Sequence, residues 1–292
     1  MNVEWQKLFK NKMTYLSLIA LQVIALLAIW KGAAYFSEEY DLAARLYHDY
    51  PDALALFSSH QYWVGLSDTF FSSFYYFVFP LLVSLPVVDS FYKEKATGYL
   101  NFELLRVSRR AYFAKKFLFV FVSSFFIFTI PLVLSMLFAN AMSGNWNFES
   151  YSTAYSKLIN GTAALPDTNI FFSQEKLLFS ELLQSSVYLY ILVYYFIGGL
   201  FAGVYACFGL AVSLFLNNRY LILFIPMSIY LGMWTIFTLL GLLAWDPFNF
   251  LDPRQPVSKL SYASMIVMFG LLLAVTITTY FIGVKRQRDV FA

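Results

Sequence analysis

Few side chains in this sequence are equipped for chemistry, and they are unevenly placed. His48 and His60 fall near Asp49 and Asp52. By residue type the four are metal ligands, but their spacing matches no zinc motif, and solvated loop residues are expected. One cysteine, Cys207, permits neither an internal disulfide nor a thiolate zinc cluster and reads as a small apolar filler. No Gly-x-x-x-x-Gly-Lys-Ser/Thr phosphate loop occurs, so any use of ATP requires a second chain. The densest polar stretch begins at Asp89 and reads DSFYKEKATGYLNFELLRVSRRAYFAKK. Its charges are suited to electrostatic contacts, and its interleaved Leu and Phe to docking.

The remainder of the chain must position that stretch, and its composition says how. Of 292 residues, 60% are hydrophobic and 13% charged, too few charges to cover a water-soluble fold. Soluble enzymes, nucleic-acid binders and disordered linkers are excluded, and an all-α integral membrane protein is indicated. Six runs reach the length of about 20 apolar residues that a bilayer demands. They are Met13 to Trp30, Phe70 to Val88, Phe117 to Ala139, Val187 to Leu216, Tyr220 to Ala244 and Ala263 to Val284. The first follows Lys7, Lys10 and Lys12 but exceeds a signal-peptide core, so it reads as a retained span. Pro80, Pro86, Pro131 and Pro226 lie inside these runs and predict kinks, since neighbouring helices can satisfy the carbonyls a proline frees.

Charge orients the spans. With both termini cytoplasmic, roughly 14 of the 20 Lys and Arg fall inside and roughly 12 of the 17 Asp and Glu outside. Glu38, Glu39, Asp41, Asp49, Asp52 and Asp68 all belong to the first outer loop, and Trp30, Trp63 and Trp245 are expected at the outer interface. The outer loops, 31–69 and 140–186, are long enough to form small caps with short helices or simply to shield helix ends. Asn160-Gly161-Thr162 fits a glycosylation sequon of little weight. The spans lack Asp, Glu, Lys, Arg and His in their apolar bodies, which argues against ion-coupled carriers and intramembrane proteases or transferases.

The stretch between spans two and three has internal organisation. Glu94 and Lys95 precede a break at Gly98, and Leu100, Phe102, Leu104 and Leu105 supply apolar side chains. Val107-Ser108 then offers an N-cap for a helix starting near Arg109. Arg109, Arg110, Lys115 and Lys116 are expected at the headgroup level. Glu94 and Lys95 are expected as exposed charges. A plain basic linker would need no such apolar run.

This segment resembles the loop after the second span of ABC-2 type transporter permeases, membrane subunits of ABC exporters. The matching positions are Glu94, Lys95, Gly98, Tyr99, Leu100, Leu104, Leu105, Val107, Ser108, Arg109, Tyr112 and Lys115, with Arg106-Val107 where the family usually has a proline turn. The N-terminal Glu4-Trp5-Gln6-Lys7-Leu8-Phe9-Lys10 is similar to the family's amphipathic interfacial segment, Trp5, Leu8 and Phe9 sharing a face. The motif covers residues 94–115; the likeness in hydropathy extends over the whole chain.

The resemblance implies a single permease domain over 1–292, with 1–12 interfacial, 89–116 a cytoplasmic coupling segment, and 31–69 and 140–186 extracytoplasmic. It implies a non-enzymatic subunit, holding no cofactor itself, that works with a second permease copy or relative and a separate ATPase that binds ATP and Mg. The setting implied is a bacterial plasma membrane, with no nucleic-acid partner. Coupling residues would be Phe91, Glu94, Lys95, Gly98, Tyr99, Leu100, Phe102, Leu104 and Leu105. Gly199 and Gly203 form a small-xxx-small pair for helix packing, more often within a subunit than across a dimer. Ser72, Tyr75, Tyr76 and Phe79 form one face of span two that is a candidate path for a hydrophobic or amphipathic cargo such as a peptide, drug or lipid. Two alternatives use the same architecture: a self-immunity complex that removes antimicrobial peptide from the membrane, and a non-transporting sensor or scaffold.

Overall fold

The computed structural model describes residues 2–46, 48, 59–144, 146, 178–254 and 260–289. Asp49, Asp52, the sequon at Asn160 and most of the second long loop lie outside the described residues. Among the described residues the fold is entirely helical, and six helices are long and apolar enough to span a membrane. The elements are α1 (Asn2–Lys10), α2 (Lys12–Leu46), α3 (Phe70–Ala96), α4 (Tyr99–Arg106), α5 (Arg109–Ser143), α6 (Ser180–Ser185), α7 (Val187–Ser213), α8 (Arg219–Leu239), α9 (Pro247–Leu251) and α10 (Tyr262–Asp289). Short 3₁₀ turns occupy Ser59–Tyr62 and Leu243–Trp245.

Several helix ends differ from the sequence reading. α2 continues well past Trp30, because Ala33, Ala34, Glu38, Glu39 and Ala43 favour helix and Phe36 stacks on Tyr40 one turn on. Glu38, Glu39 and Asp41 are therefore helical, not loop residues. α5 starts at Arg109 and runs to Ser143, where Gly144 caps it in the left-handed conformation. At 35 residues each, α2 and α5 are about 50 Å long, more than the hydrocarbon layer of about 30 Å. α7 stops at Ser213, short of Leu216, and Asn218 caps α8 by accepting from the Tyr220 and Leu221 amides. α8 stops at Leu239, ahead of a left-handed Gly241.

The four prolines are interior to their helices, and at two of them a neighbouring helix supplies a donor to the freed carbonyl. Pro80 has no N–H for the carbonyl of Tyr76; the Tyr230 hydroxyl of α8 donates to that oxygen at 2.9 Å. Pro86 likewise frees the Leu82 carbonyl, which accepts from Ser17 Oγ of α2 at 2.7 Å. Two proline sites thus become two interhelical hydrogen bonds.

α7 is the most enclosed span, touching α3, α5, α8 and α10, while α2 leans on α3 and α5. A Cβ at Gly199 would stand 2.6 Å from the Phe125 ring, and one at Gly203 3.0 Å from the Phe121 carbonyl. The small-residue face of α7 therefore lies against α5 of the same chain. Cys207 is buried nearby, its thiol 3.5 Å from the Phe117 carbonyl. α8 and α10 are the least covered spans, with Phe224, Leu239, Ile266 and Phe281 directed outward.

Candidate functional site

The polar stretch after the second span is built as a short helix slung between two long ones. α3 ends where the Thr97 amide and hydroxyl both bond the Lys93 carbonyl, at 2.9 and 2.7 Å. Gly98 then takes φ +70°, a conformation open to glycine at little cost, and reverses the chain into α4. Val107 is extended, and Ser108 precedes α5 as expected, although its side chain makes no capping bond.

α4 is amphipathic. Leu100 is buried and Leu104, one turn later, packs on the core, whereas Phe102 and Leu105 turn away, 68% and 84% exposed. Phe91, at the end of α3, is buried. Of the apolar coupling candidates, then, Phe102 and Leu105 present their surfaces, while Phe91 and Leu100 anchor the helix.

Beneath α4 lies a cluster of charges. Lys116 of α5 donates to both oxygens of Glu94, at 2.9 and 3.0 Å, and to Glu4 of α1 at 2.7 Å. Lys7 bridges the same two carboxylates, at 2.9 Å to Glu4 and 3.0 Å to Glu94, and its ammonium stands 4.4 Å from the centre of the Tyr99 ring. Tyr112 completes the shell by donating to Glu94 at 2.9 Å. Four helices, α1, α3, α4 and α5, meet in this one network.

Burial raises the pKa of the Glu4 carboxyl, but its pairs with Lys116 and Lys7 outweigh that and hold it below the ordinary value. Burial lowers the pKa of Lys7, and here too the pairs with Glu4 and Glu94 outweigh it, so its pKa is raised. Around neutrality both therefore remain charged.

The placement corrects two expectations. Glu94 is buried, 6% exposed, and is not a solvated charge. Lys116 does not point outward to lipid headgroups: it follows Tyr112 by one turn on the inward face of α5 and is 3% exposed. Lys95 does remain near the surface, donating to Asn217 at 2.8 Å. Glu4 as a partner was missed; the signal available was a lone acid in a basic amphipathic segment.

The same end of the bundle carries three further ties. Asp89 pairs with Lys93 at 2.7 Å and with Arg219 of α8 at 2.5 Å. Arg109 donates to the Val284 carbonyl of α10 at 2.7 Å. These ties link α3 with α8 and α5 with α10.

At the opposite end, Arg254 donates to Asp252, to Asp68 at 3.0 Å, to Ser73 Oγ at 2.6 Å and to the Ser67 carbonyl at 3.2 Å. His60 is buried, contrary to the solvated reading, with its ring edge-on to Trp63 (4.7 Å) and Tyr188 (5.9 Å). Trp63 is likewise enclosed and does not face lipid; Trp30 and Trp245 are exposed. His48 is exposed, and no metal-binding group of three or more His, Cys, Asp or Glu occurs among the described residues.

Ser72, Tyr75, Tyr76 and Phe79 are all buried within the chain. Ser72 Oγ accepts from the Gly65 amide at 2.8 Å, Tyr75 donates to the Phe128 carbonyl at 2.7 Å, and Phe79 packs edge-on to Phe128, Tyr205 and Tyr230. In this conformation the rings pack edge-on in a closed cluster, in which the Tyr76 and Tyr205 hydroxyls are buried without a hydrogen-bond partner among the described residues.

No protein-family model, curated protein or solved structure matches the chain.

Proposed function

We propose that the chain is the membrane-spanning subunit of an ATP-driven ABC exporter, paired with a second permease and served by separate ATPases. The observation that carries this reading is α4. A helix that leaves Phe102 and Leu105 bare on one face and buries Leu100 on the other is suited to receive a partner and to pass on its motion. Burying one such side chain is worth about 1.5–3 kcal/mol, whereas an exposed charge pair adds about 0–1 kcal/mol. Packing, with charge as a positioning aid, is thus the stronger docking force.

The ion network under α4 supports the same reading. Buried charges that satisfy one another through several hydrogen bonds hold one geometry. A displacement of α4 by an ATPase would therefore move α1, α3 and α5 together. The closed cluster around Phe79 would open only if the spans part, consistent with a passage formed between two permease copies or by rearrangement within one. The uncharged, aromatic spans favour a hydrophobic or amphipathic cargo.

The test compares the chain purified from its native membrane with Phe102→Ala/Leu105→Ala. The native protein should bring an ATPase with it, and the double variant should insert normally but lose the ATPase or transport. Lys95→Ala should be milder. A double variant that keeps both ATPase and transport would overturn the reading.

A further inference from the structure

We propose that the junction of α1, α2 and α3 is a binding site for one anionic phospholipid, its phosphate held by lysines and an acyl chain laid along α2. A cleft of about 630 Å³ opens here, lined among others by Lys7, Lys10, Lys12, Lys93, Glu94 and Tyr99. Four lysines face one carboxylate, and that carboxylate is already taken up by Lys7, Lys116 and Tyr112. Lys93 is engaged with Asp89. Lys10 and Lys12 are exposed and have no ion-pair partner among the described residues, so the uncompensated charge of the cleft belongs to them. Lysine ammonium groups hold phosphate as point charges, and neighbouring cations draw anionic lipid to a membrane surface.

The second observation is independent of charge. At about 100° per residue, Ile19, Val23, Leu26 and Trp30 fall on the same face of α2 as Lys12, within about 40° of it. All four are exposed, so an uncovered apolar stripe begins at the cleft and runs along the span. A free phosphate would use only the lysines; a phospholipid would use both features. The inference does not depend on the exporter reading, since it concerns only this chain and lipid.

The experiment measures binding of dioleoylphosphatidylglycerol to the full chain in detergent by native mass spectrometry, with dioleoylphosphatidylcholine, dihexanoylphosphatidylglycerol and inorganic phosphate as comparison probes. The variant is Lys10→Gln/Lys12→Gln, whose side chains hold nothing else in place; an unchanged thermal midpoint in phosphatidylcholine confirms its fold. The long-chain anionic lipid should bind at least tenfold more tightly than each comparison probe and lose about tenfold in the variant. Equal binding of the two dioleoyl lipids, or full retention in the variant, would overturn the lysine site. Equal binding of the short-chain lipid or of inorganic phosphate would overturn the acyl track.

Discussion

The Tyr230 hydroxyl bonds the Tyr76 carbonyl at 2.9 Å, and that carbonyl has no helical donor because Pro80 stands four residues beyond it. The proline and the tyrosine are therefore energetically coupled. Tyr230→Phe should cost about 0.6–1.7 kcal/mol in the native background, the range for interhelical hydrogen bonds in membranes. In a Pro80→Ala background the restored N–H serves the same oxygen, and the cost of Tyr230→Phe should shrink. A double-mutant cycle on the detergent-solubilised protein, read by thermal unfolding, checks this; equal costs in both backgrounds would refute the coupling.

The proline exchange shows what a sequence can and cannot convey. That prolines would sit inside spans, with neighbours satisfying the freed carbonyls, follows from the chemistry of the bilayer interior. Which hydroxyl would serve which carbonyl does not, because Ser17 and Tyr230 are far from Leu82 and Tyr76 along the chain. The same division runs through the candidate site. Gly98 as a break and Ser108 as the residue before a helix were local properties and legible. The burial of Glu94, Lys116 and His60 depends on packing between distant helices, and local hydropathy cannot register it. Helix ends failed for a related reason: Ala- and Glu-rich segments such as 31–46 remain helical after the apolar run has ended.

The Glu94–Lys116 pair should behave as a buried bond whose loss strands a charge. Lys116→Met leaves Glu94 with Lys7 and Tyr112, so the cost should fall near the lower end of the usual range, about 3 kcal/mol. Glu94→Leu/Lys116→Met removes both charges and should be more stable than Lys116→Met. Thermal midpoints of the three proteins decide it, and a double variant no better than the single one would count against the pairing.

Acid should loosen α1. Glu4 has its folded pKa below the unfolded one, so its contribution is present above the ordinary carboxylate value and is lost as pH falls through the folded pKa. Lys7 is shifted upward, so its contribution holds below the ordinary lysine value and fails only in strong alkali. Hydrogen exchange of the α1 amides, followed from pH 7 to pH 3, should accelerate at the acid end in the native protein. Glu4→Gln should exchange faster at neutral pH and show a weaker pH response.

Asp246 should act in the opposite sense. It caps α9 by accepting from the Phe248 amide at 3.1 Å, but burial pushes its carboxyl up to about 6 despite that bond. A raised carboxylate pKa means the folded state takes up a proton between about pH 4 and pH 6, so this group's contribution to stability declines as pH rises through that window. Asp246→Asn keeps the capping oxygen and should flatten the dependence of the thermal midpoint on pH between 4 and 7. An unchanged slope would show that Asp246 does not titrate in that range.

The α5–α7 contact gives a prediction graded by what can move. A methyl at Gly199 meets the side chains of Phe125 and Thr129, which can shift, whereas at Gly203 it also meets the Phe121 carbonyl, which cannot. Gly203→Val should therefore destabilise by about 1–3 kcal/mol, and Gly199→Ala by less. Gly232 has open space around it, so Gly232→Ala should be neutral or slightly stabilising.

Orientation in the membrane yields the last prediction. The ion network at Glu94 and Lys116 and the ties at Arg109 and Arg219 gather basic residues at one end of the bundle, while Asp68, Asp246 and Asp252 stand at the other. The positive-inside rule then predicts that the Lys116 end faces the cytoplasm. Cys207 is buried and can be replaced by Ala, after which single cysteines at 93, 115 and 286 should resist a membrane-impermeant thiol reagent in intact cells. Cysteines at 68 and 146 should react. Position 252, otherwise a natural choice for that side, is unsuitable because Asp252 is buried and holds Arg254. Labelling at 115 without permeabilisation would invert the topology, and with α4 then facing away from the cytoplasm the docking of an ATPase on Phe102 and Leu105 would have to be abandoned.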